Sequence, residues 1–492
     1  MPGLIRRVAG PTWLLIAIIL AGGALRLLTL GVQSYWYNEA ATVFLVRHSL
    51  GSMLHLIPNM EGNPPLYYIL AWGWSRLFGI GEVGLRSFSA LAGTALIPVT
   101  YAIAKRMAGV RVGIVVAALT AINPLLFWFS QEARPYILLD LFVAVGFLFF
   151  LRALEEDSWR PMVLWAVMSI IALATHYFAL WVVVPEFLWL LLRARNRRAV
   201  VAIGVVLAGA GGALLPLALK QRTDQVATSI VGSFGQRIVE LPKQLLLGYS
   251  GPLEKPLTAA VAIISAYGVY LALTRTAPHR HRSAVLLVCV AGAALLIVLA
   301  AAAVGLDYIN TRNLIELCLF AVLVVGIGLG APEAGARGTL ACVCLCALLL
   351  ADIVGVELNP VYQRDDWRGA VRALGPASSL RALVVTPGQG YYPLLYYLPH
   401  ARLMAQPATV SELDLLGIAI RPGSGVPPAP PSPPPQPPIP GFQQVALYRD
   451  RMFTVARYRA VKGTLLSAAA LKGKALSPGS ALVFLDESRT TR

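Results

Sequence analysis

Five short clusters hold the residues of this chain whose types and spacing could do chemistry. They are Tyr35-Trp36-Tyr37-Asn38-Glu39-Ala40, Glu61-Gly62-Asn63-Pro64-Pro65-Leu66-Tyr67-Tyr68, Ser130-Gln131-Glu132-Ala133-Arg134-Pro135-Tyr136, Thr175-His176-Tyr177-Phe178 and Asp307-Tyr308-Ile309-Asn310-Thr311-Arg312-Asn313. Aromatic rings beside carboxylates suit a sugar, because its C–H faces pack on rings while its hydroxyls need acceptors. Arginines suit a phosphate or pyrophosphate, whose oxygens match the planar guanidinium fork. Plainer readings stand beside these. Trp36, Tyr67, Tyr136 and Tyr177 also suit an aromatic belt at a membrane interface. Arg134 and Arg312 could snorkel, and His176 alone fits a hydrogen-bonded boundary residue. Glu39 and Glu132 have the weakest plain reading, because a carboxylate beside an apolar run is costly and takes a partner.

The elements that must position these clusters follow from composition. Of 492 residues, 57% are hydrophobic and 13% charged, and mean hydropathy is +0.68. Soluble domains carry about 25% charged residues, so the apolar surplus must face lipid, and a soluble enzyme, a disordered chain and a nucleic-acid binder all fit poorly. The net charge of +17 lies mostly between apolar runs, as expected of cytoplasmic loops. The cysteines Cys289, Cys318, Cys342, Cys344 and Cys346 lie inside apolar runs with no ligating neighbours, so neither a zinc site nor a disulfide framework is expected.

Residues 12–31 read as a retained first transmembrane helix behind Arg6 and Arg7. Further runs fall at 87–104, 111–129, 135–152, 160–176, 177–192, 199–219, 256–274, 284–304, 313–330 and 338–355. Most approach the ~20 residues that cross the hydrocarbon. Three basic clusters sit between runs: Lys105/Arg106/Arg111, Arg193/Arg195/Arg197/Arg198 and Arg275/Arg280/Arg282. All become cytoplasmic only if the short segment 64–79 does not span. It is therefore expected to be interfacial or re-entrant within one long external loop, residues 32–86, leaving about eleven spanning helices. The same parity sends the five polar clusters to one external face, although nothing in their spacing required it. The helices are expected to keep their charges at their ends.

Composition changes near residue 356. Asp365-Asp366-Trp367-Arg368 opens a helix, 381–386 reads as a strand, 391–397 as a helix and 441–460 as one or two strands. The proline run 426–440, from Pro427-Pro428 to Pro440, reads as a stiff extended loop. The tail from about 461 is expected to be weakly ordered. The expected organisation is a mainly α, polytopic membrane domain over 1–355 and a small external α/β domain over 356–492.

In order and on one face, Trp36–Ala40, Pro64–Tyr67, Gln131–Tyr136 and Thr175–Phe178 resemble the motifs of the GT-C membrane glycosyltransferases. The likeness is to the family 39 type, which includes protein O-mannosyltransferases and aminoarabinose transferases. It covers roughly residues 10–330 and implies a GT-C-like helical bundle with a long first external loop. It implies a polyprenyl-phosphate sugar donor, a glycan, lipid or protein acceptor, membrane lipid as surroundings and no nucleic acid. Transfer would occur at the external face of the plasma membrane with inversion, from a chain whose N-terminus is cytoplasmic. One carboxylate would act as general base on the acceptor hydroxyl, and arginines would hold the departing lipid phosphate. The family's base is usually the Asp of an Asp-Glu pair, and here Asn38 stands in that place. The catalytic candidates are accordingly Glu39, Glu132 and the altered position Asn38. The binding candidates are Trp36, Glu61, Asn63, Tyr67, Gln131, Arg134, Tyr136, His176, Tyr177 and Arg312. The resemblance implies no required cofactor; some relatives place a divalent cation near the acidic residues and the histidine. Two other functions compete: a noncatalytic sugar-lipid binder, which Asn38 favours, and a lipid-sugar flippase, which would need charges at helix midpoints or inverted repeats.

Overall fold

The computed structural model describes residues 2–487 apart from 157, 195, 230–231, 420–428, 435 and 477–479. Arg195 of the second basic cluster and Pro427, Pro428 and Pro435 of the proline run lie outside the described residues, as do the side chains of Arg6 and Arg7. The chain divides into two compact units. One is Met1–Leu30 with His48–Gly355; the other is Gly31–Arg47 with Val356–Arg492.

The helices, in chain order through both units, begin with α1 (Pro2–Leu28), α2 (Tyr37–Arg47), α3 (Leu50–Met60), α4 (Leu66–Phe78) and α5 (Glu82–Ala108). They continue with α6 (Val110–Ile122), α7 (Pro124–Ser130), α8 (Tyr136–Glu155), α9 (Trp159–Thr175), α10 (Leu180–Arg193) and α11 (Arg197–Ser229). Next come α12 (Phe234–Leu247), α13 (Glu254–Thr274), α14 (Pro278–Ala303), α15 (Glu316–Gly330) and α16 (Gly335–Leu358). All but α2 and the last turn of α16 belong to the first unit.

Among the described residues, six helices are long and apolar enough to cross a membrane, and α6 with α7 forms a seventh if the pair, bent by 57°, is one span. Three shorter apolar helices, Thr12–Leu28, α9 and α15, accompany them. The chain is a multi-pass membrane protein. Every one of the eleven expected runs is helical, but length and apolarity alone qualify only six or seven of them. Helix α4 has 13 residues, about 20 Å at 1.5 Å per residue, which is too short to span. The expected single loop 32–86 is itself built from α2, α3 and α4.

The bend between α6 and α7 has a local cause. Pro124 has no N–H to offer the Thr120 carbonyl, and Asn123 instead opens α7, its side chain accepting from the Leu126 N–H at 2.9 Å. Arg26, fully buried on α1, fills the break by donating to Ala121 O at 2.7 Å, Thr120 O at 3.2 Å and Ser130 Oγ at 3.0 Å. Arg26 sits in the last turn of α1, where the sequence places charges; the departure from that expectation is Glu186, mid-way along α10. Arg26, Asp140 and Glu186 are all buried along helices, and Trp165 donates to Glu186. Composition could not show how Arg26 and Glu186 are satisfied, because their partners are groups of distant helices.

The two ends of the first unit carry different chemistry. At one end Arg106 pairs with Glu155 at 2.6 Å, Arg280 pairs with Glu333 at 2.7 Å and Arg111 donates to Thr339 at 3.0 Å. Helix α8 runs 20 residues from that end, about 30 Å, to Tyr136 among the candidate site residues. Helices α13 and α15 pack with almost no gap: a Cβ at Gly328 would lie 1.8 Å from Gly268 O.

The second unit is α/β. It contains α2, α17 (Trp367–Leu374), α18 (Tyr391–Tyr397) and α19 (Ala468–Lys472). Its strands are β1 (Arg381–Thr386), β2 (Arg402–Leu403), β3 (Ala408–Ile418), β4 (Phe442–Arg449), β5 (Phe453–Leu466) and β6 (Leu482–Asp486). They form one sheet in the order β2-β6-β1-β3-β5-β4, with β1 and β3 parallel and the other pairs antiparallel. The tail expected to be weakly ordered instead supplies the end of β5, α19 and β6, an inner strand. Its apolar Leu482-Val483-Phe484-Leu485 is buried by both sheet faces, which a single-sequence reading of a short run easily misses. A buried ionic group fixes one end of the sheet, where Arg381 donates to Asp414 at 2.9 Å and also to Asp486. The described part of the proline run is tied down through Pro431 O, which accepts from Thr454 at 2.6 Å.

Candidate active site

Polar residues at helix boundaries shape the candidate site in the first unit. His176 follows α9 directly, and its Nδ1 accepts from the Phe178 N–H at 3.3 Å, starting the short turn Tyr177–Ala179. Asn310 does the same for the turn Thr311–Asn313, accepting from the Arg312 N–H at 3.2 Å. Pro135 ends the Gln131–Arg134 turn and leads into α8, a use that its fixed φ favours.

The centre is an ion pair between two clusters 73 residues apart in sequence. Arg134 grips Glu61 with both ends of its fork, Nη1–Oε1 at 2.7 Å and Nη2–Oε2 at 2.9 Å. Both side chains are about 95% buried. Burial alone would lower the Arg134 pKa, but the Glu61 carboxylate raises it well above its ordinary value. The Arg134 guanidinium lies 5.9 Å from the Tyr68 ring centroid, within cation–π range. Burial raises the Tyr68 hydroxyl, against the lowering effect of Arg134.

His176 completes this group, its ring 5.6 Å from that of Tyr136 and 5.0 Å from that of Phe178. Burial, reinforced by the positive charges of Arg134 and Arg312, pushes its pKa down to about 3. It is therefore a neutral imidazole at physiological pH. With Nδ1 accepting, its proton sits on Nε2, which makes it a donor.

The other candidates fall into place around this centre. Asn63 is buried, and its backbone carbonyl accepts from Gln221 Nε2 at 3.1 Å. Gln221 also donates to Ile57 O at 3.4 Å and accepts from the Tyr177 hydroxyl at 2.7 Å. Gln221 does not stand out in the sequence: between Lys220 and Arg222, after an apolar run, it reads as a solvated flank. Tyr67 is fully buried and meets Tyr68 edge-on at 5.3 Å. Gln131 is turned toward α1, its amide donating to Arg26 O at 3.2 Å and to Thr29. Glu132 is buried, and its backbone carbonyl accepts from the Arg134 N–H at 2.8 Å. The turn carrying Arg312 is clamped by α12, where Arg237 pairs with Asp307 and donates to Ile309 O at 2.6 Å. The Arg237 hydrogen bond holds the Asp307 pKa below its ordinary value.

Trp36, Asn38 and Glu39 belong to the second unit. Glu39 is fully buried in the first turn of α2, where a carboxylate complements the helix dipole. The Asn38 carbonyl accepts from Thr42 Oγ1 at 3.3 Å, and Trp36 is half-buried.

A resident divalent cation does not fit the first-unit centre. Arg134 occupies both Glu61 oxygens and Phe178 occupies His176 Nδ1. Among the described residues no group of three metal-ligating side chains converges.

Residues 62–219 match the family described as dolichyl-phosphate-mannose-protein mannosyltransferase. Through this stretch, about a third of the chain, the sequence is similar to that family of membrane glycosyltransferases. The matched stretch holds Asn63, Tyr67, Gln131–Tyr136, His176 and Tyr177, while Glu61, Gln221 and Arg312 lie outside it. No curated protein matches the sequence. Solved GT-C structures are similar at low identity. The Archaeoglobus fulgidus oligosaccharyltransferase in complex with zinc and sulfate has a TM-score of 0.46 at 12% identity, covering 78% of this chain and 61% of that one. ArnT from Cupriavidus metallidurans bound to undecaprenyl phosphate has a TM-score of 0.42 at 16% identity, covering 91% of this chain and 98% of that one. The Saccharomyces cerevisiae protein O-mannosyltransferase Pmt1-Pmt2 complex bound to the sugar donor has a TM-score of 0.33 at 17% identity, covering 46% of this chain and 35% of that one. This chain thus spans under two thirds of the length of the archaeal enzyme.

Proposed function

We propose that this GT-C protein transfers a sugar from a polyprenyl-phosphate donor to an acceptor hydroxyl at the external membrane face, with inversion. The observation that carries this reading is the buried group Glu61, Arg134 and His176, assembled from three of the five clusters around the matched stretch. It offers a rigid, charge-balanced ion pair and a neutral imidazole donor beside the turn that carries Arg312, where a phosphate leaving group would need a cation and a donor. Arg134 has its fork on Glu61, so Arg312 is the first choice to grip the donor phosphate, and Arg134 holds Glu61 in place. Tyr67, Tyr136 and Tyr177 supply ring faces for the sugar. Asn38 cannot take a proton, so Glu39 acts as general base, with Glu132 second. The acceptor is a glycan, lipid or protein hydroxyl.

In this reading the end of the first unit with Arg106, Arg111 and Arg280 faces the cytoplasm and the C-terminal domain is external, following the positive-inside rule. In a cysteine-free background, a cysteine at Arg198 should resist a membrane-impermeant external thiol reagent; ready labelling there would reverse the sidedness. The activity itself is tested on purified protein with a panel of radiolabelled undecaprenyl-phosphate monosaccharides. Label leaving the lipid for a new product is expected with at least one donor, and hydrolysis-level release with all of them would refute the reading.

A further inference from the structure

The second unit joins two parts of the chain that are far apart in sequence: Gly31–Arg47 and Val356–Arg492. Residues 31–36 have no helix or strand of their own, so their direction depends on other ties. Five consecutive residues are tied to the segment 357–397. Arg368 donates to Gly31 O at 3.1 Å and to Val32 O at 2.7 Å. Gln33 Oε1 accepts from Arg364, and Ser34 donates to Asp365 O at 2.7 Å while accepting from the Trp367 N–H at 3.1 Å. Last before α2, the Tyr35 N–H donates to the Tyr397 hydroxyl at 2.7 Å. Rings extend the contact onto α2 itself, where Phe44 lies 5.2 Å and Tyr37 6.3 Å from Tyr392. Tyr35 is fully buried, so its N–H needs this partner.

We infer that the C-terminal domain is the positioning device for the Glu39 segment, and that Tyr397 is a positioning residue whose hydroxyl fixes the backbone four residues before Glu39. The inference rests on the proposed role of Glu39 as base. A general base must hold its proton acceptor within hydrogen-bond reach of the substrate, and a displacement of about 1 Å can cost about 100-fold in rate. Tyr397→Phe removes one oxygen and keeps the ring against Tyr396, 4.8 Å away.

The test uses the full-length protein in nanodiscs, with the undecaprenyl-phosphate sugar that the wild type turns over. Tyr397→Phe should speed hydrogen exchange in the peptide 31–39 and lower kcat about 10- to 100-fold, with the donor KM within about twofold of wild type. Ser34→Ala, which cuts the neighbouring tie, should move kcat the same way. A purely structural role would lower thermal stability without this split between kcat and KM. If exchange rises in both variants while kcat stays at the wild-type value and Glu39→Gln is inactive, the positioning role is overturned and the base assignment stands. If the wild type transfers nothing, or Glu39→Gln transfers as well as wild type, the underlying reading fails and this inference falls with it.

Discussion

The two regions that hold the candidate residues are built from different forces. In the first unit the centre is ionic: Glu61 and Arg134 neutralise each other out of water, and His176 stays neutral beside them. In the second unit the Trp36–Glu39 segment hangs on neutral and backbone hydrogen bonds and on tyrosine rings from a distant part of the chain. A charge pair fixes field and sign. A backbone lattice fixes the course of the segment that leads to Glu39. An ion pair and a hydrogen-bonded backbone are two different ways to hold polar residues out of water.

The largest break in this comparison comes from the ion pair. Removing one member leaves a buried charge alone, so Glu61→Gln or Arg134→Met should each cost about 3–5 kcal/mol of stability. The double variant should recover much of that loss. Thermal or denaturant unfolding in detergent checks both, and a double-variant loss equal to the sum of the two single losses would mean that the two charges do not depend on each other.

Arg312 sharpens the ionic side next. A charge-assisted hydrogen bond contributes about 1.5–3 kcal/mol, so Arg312→Ala should lower kcat/KM for the donor by about 10- to 100-fold. Arg312→Lys should recover only part, because an ammonium lacks the planar fork. Titration of kcat/KM across donor concentration decides it, and full activity in Arg312→Ala would return this arginine to snorkelling.

The third effect concerns pH and is the smallest near neutrality. His176 has a pKa of about 3 when folded and about 6.5 when unfolded. The unfolded chain therefore binds the extra proton between those values, so acidification from about pH 6.5 toward 3 should erode stability, with no such change above 6.5. His176→Gln should flatten that part of the stability profile. The wild-type pH–rate profile should show no inflection from this residue near 6.5, and one that disappears in His176→Gln would contradict the neutral assignment.

Much of the architecture is legible in the sequence because lipid imposes one-dimensional rules. Apolar runs mark the helices, and Pro64-Pro65 and Gly79 mark the bounds of the short α4. The clusters around Glu61, Arg134 and His176 stand out because polar side chains at run boundaries are costly. Arg26 and Gln221 do not stand out, since their partners are carbonyls and hydroxyls dozens of residues away. The pairing of Glu61 with Arg134 is equally hidden, because spacing cannot show which charges meet. Least legible is the union of residues 31–47 with the C-terminal domain, a long-range assembly read from neither segment alone. The buried strand β6 was missed for the same reason, as its partners are β1 and β2.

The central claim is that Glu39 moves the proton in a transfer from a lipid-phosphate sugar. The direct measurement is single-turnover transfer from a radiolabelled undecaprenyl-phosphate sugar by wild type, Glu39→Gln and Glu132→Gln, with donor binding measured on the same preparations. General-base catalysis contributes about 10²–10⁴-fold, so Glu39→Gln should bind the donor as wild type does and transfer at least about 100-fold more slowly. Wild-type transfer rates in both Glu39→Gln and Glu132→Gln would contradict the account.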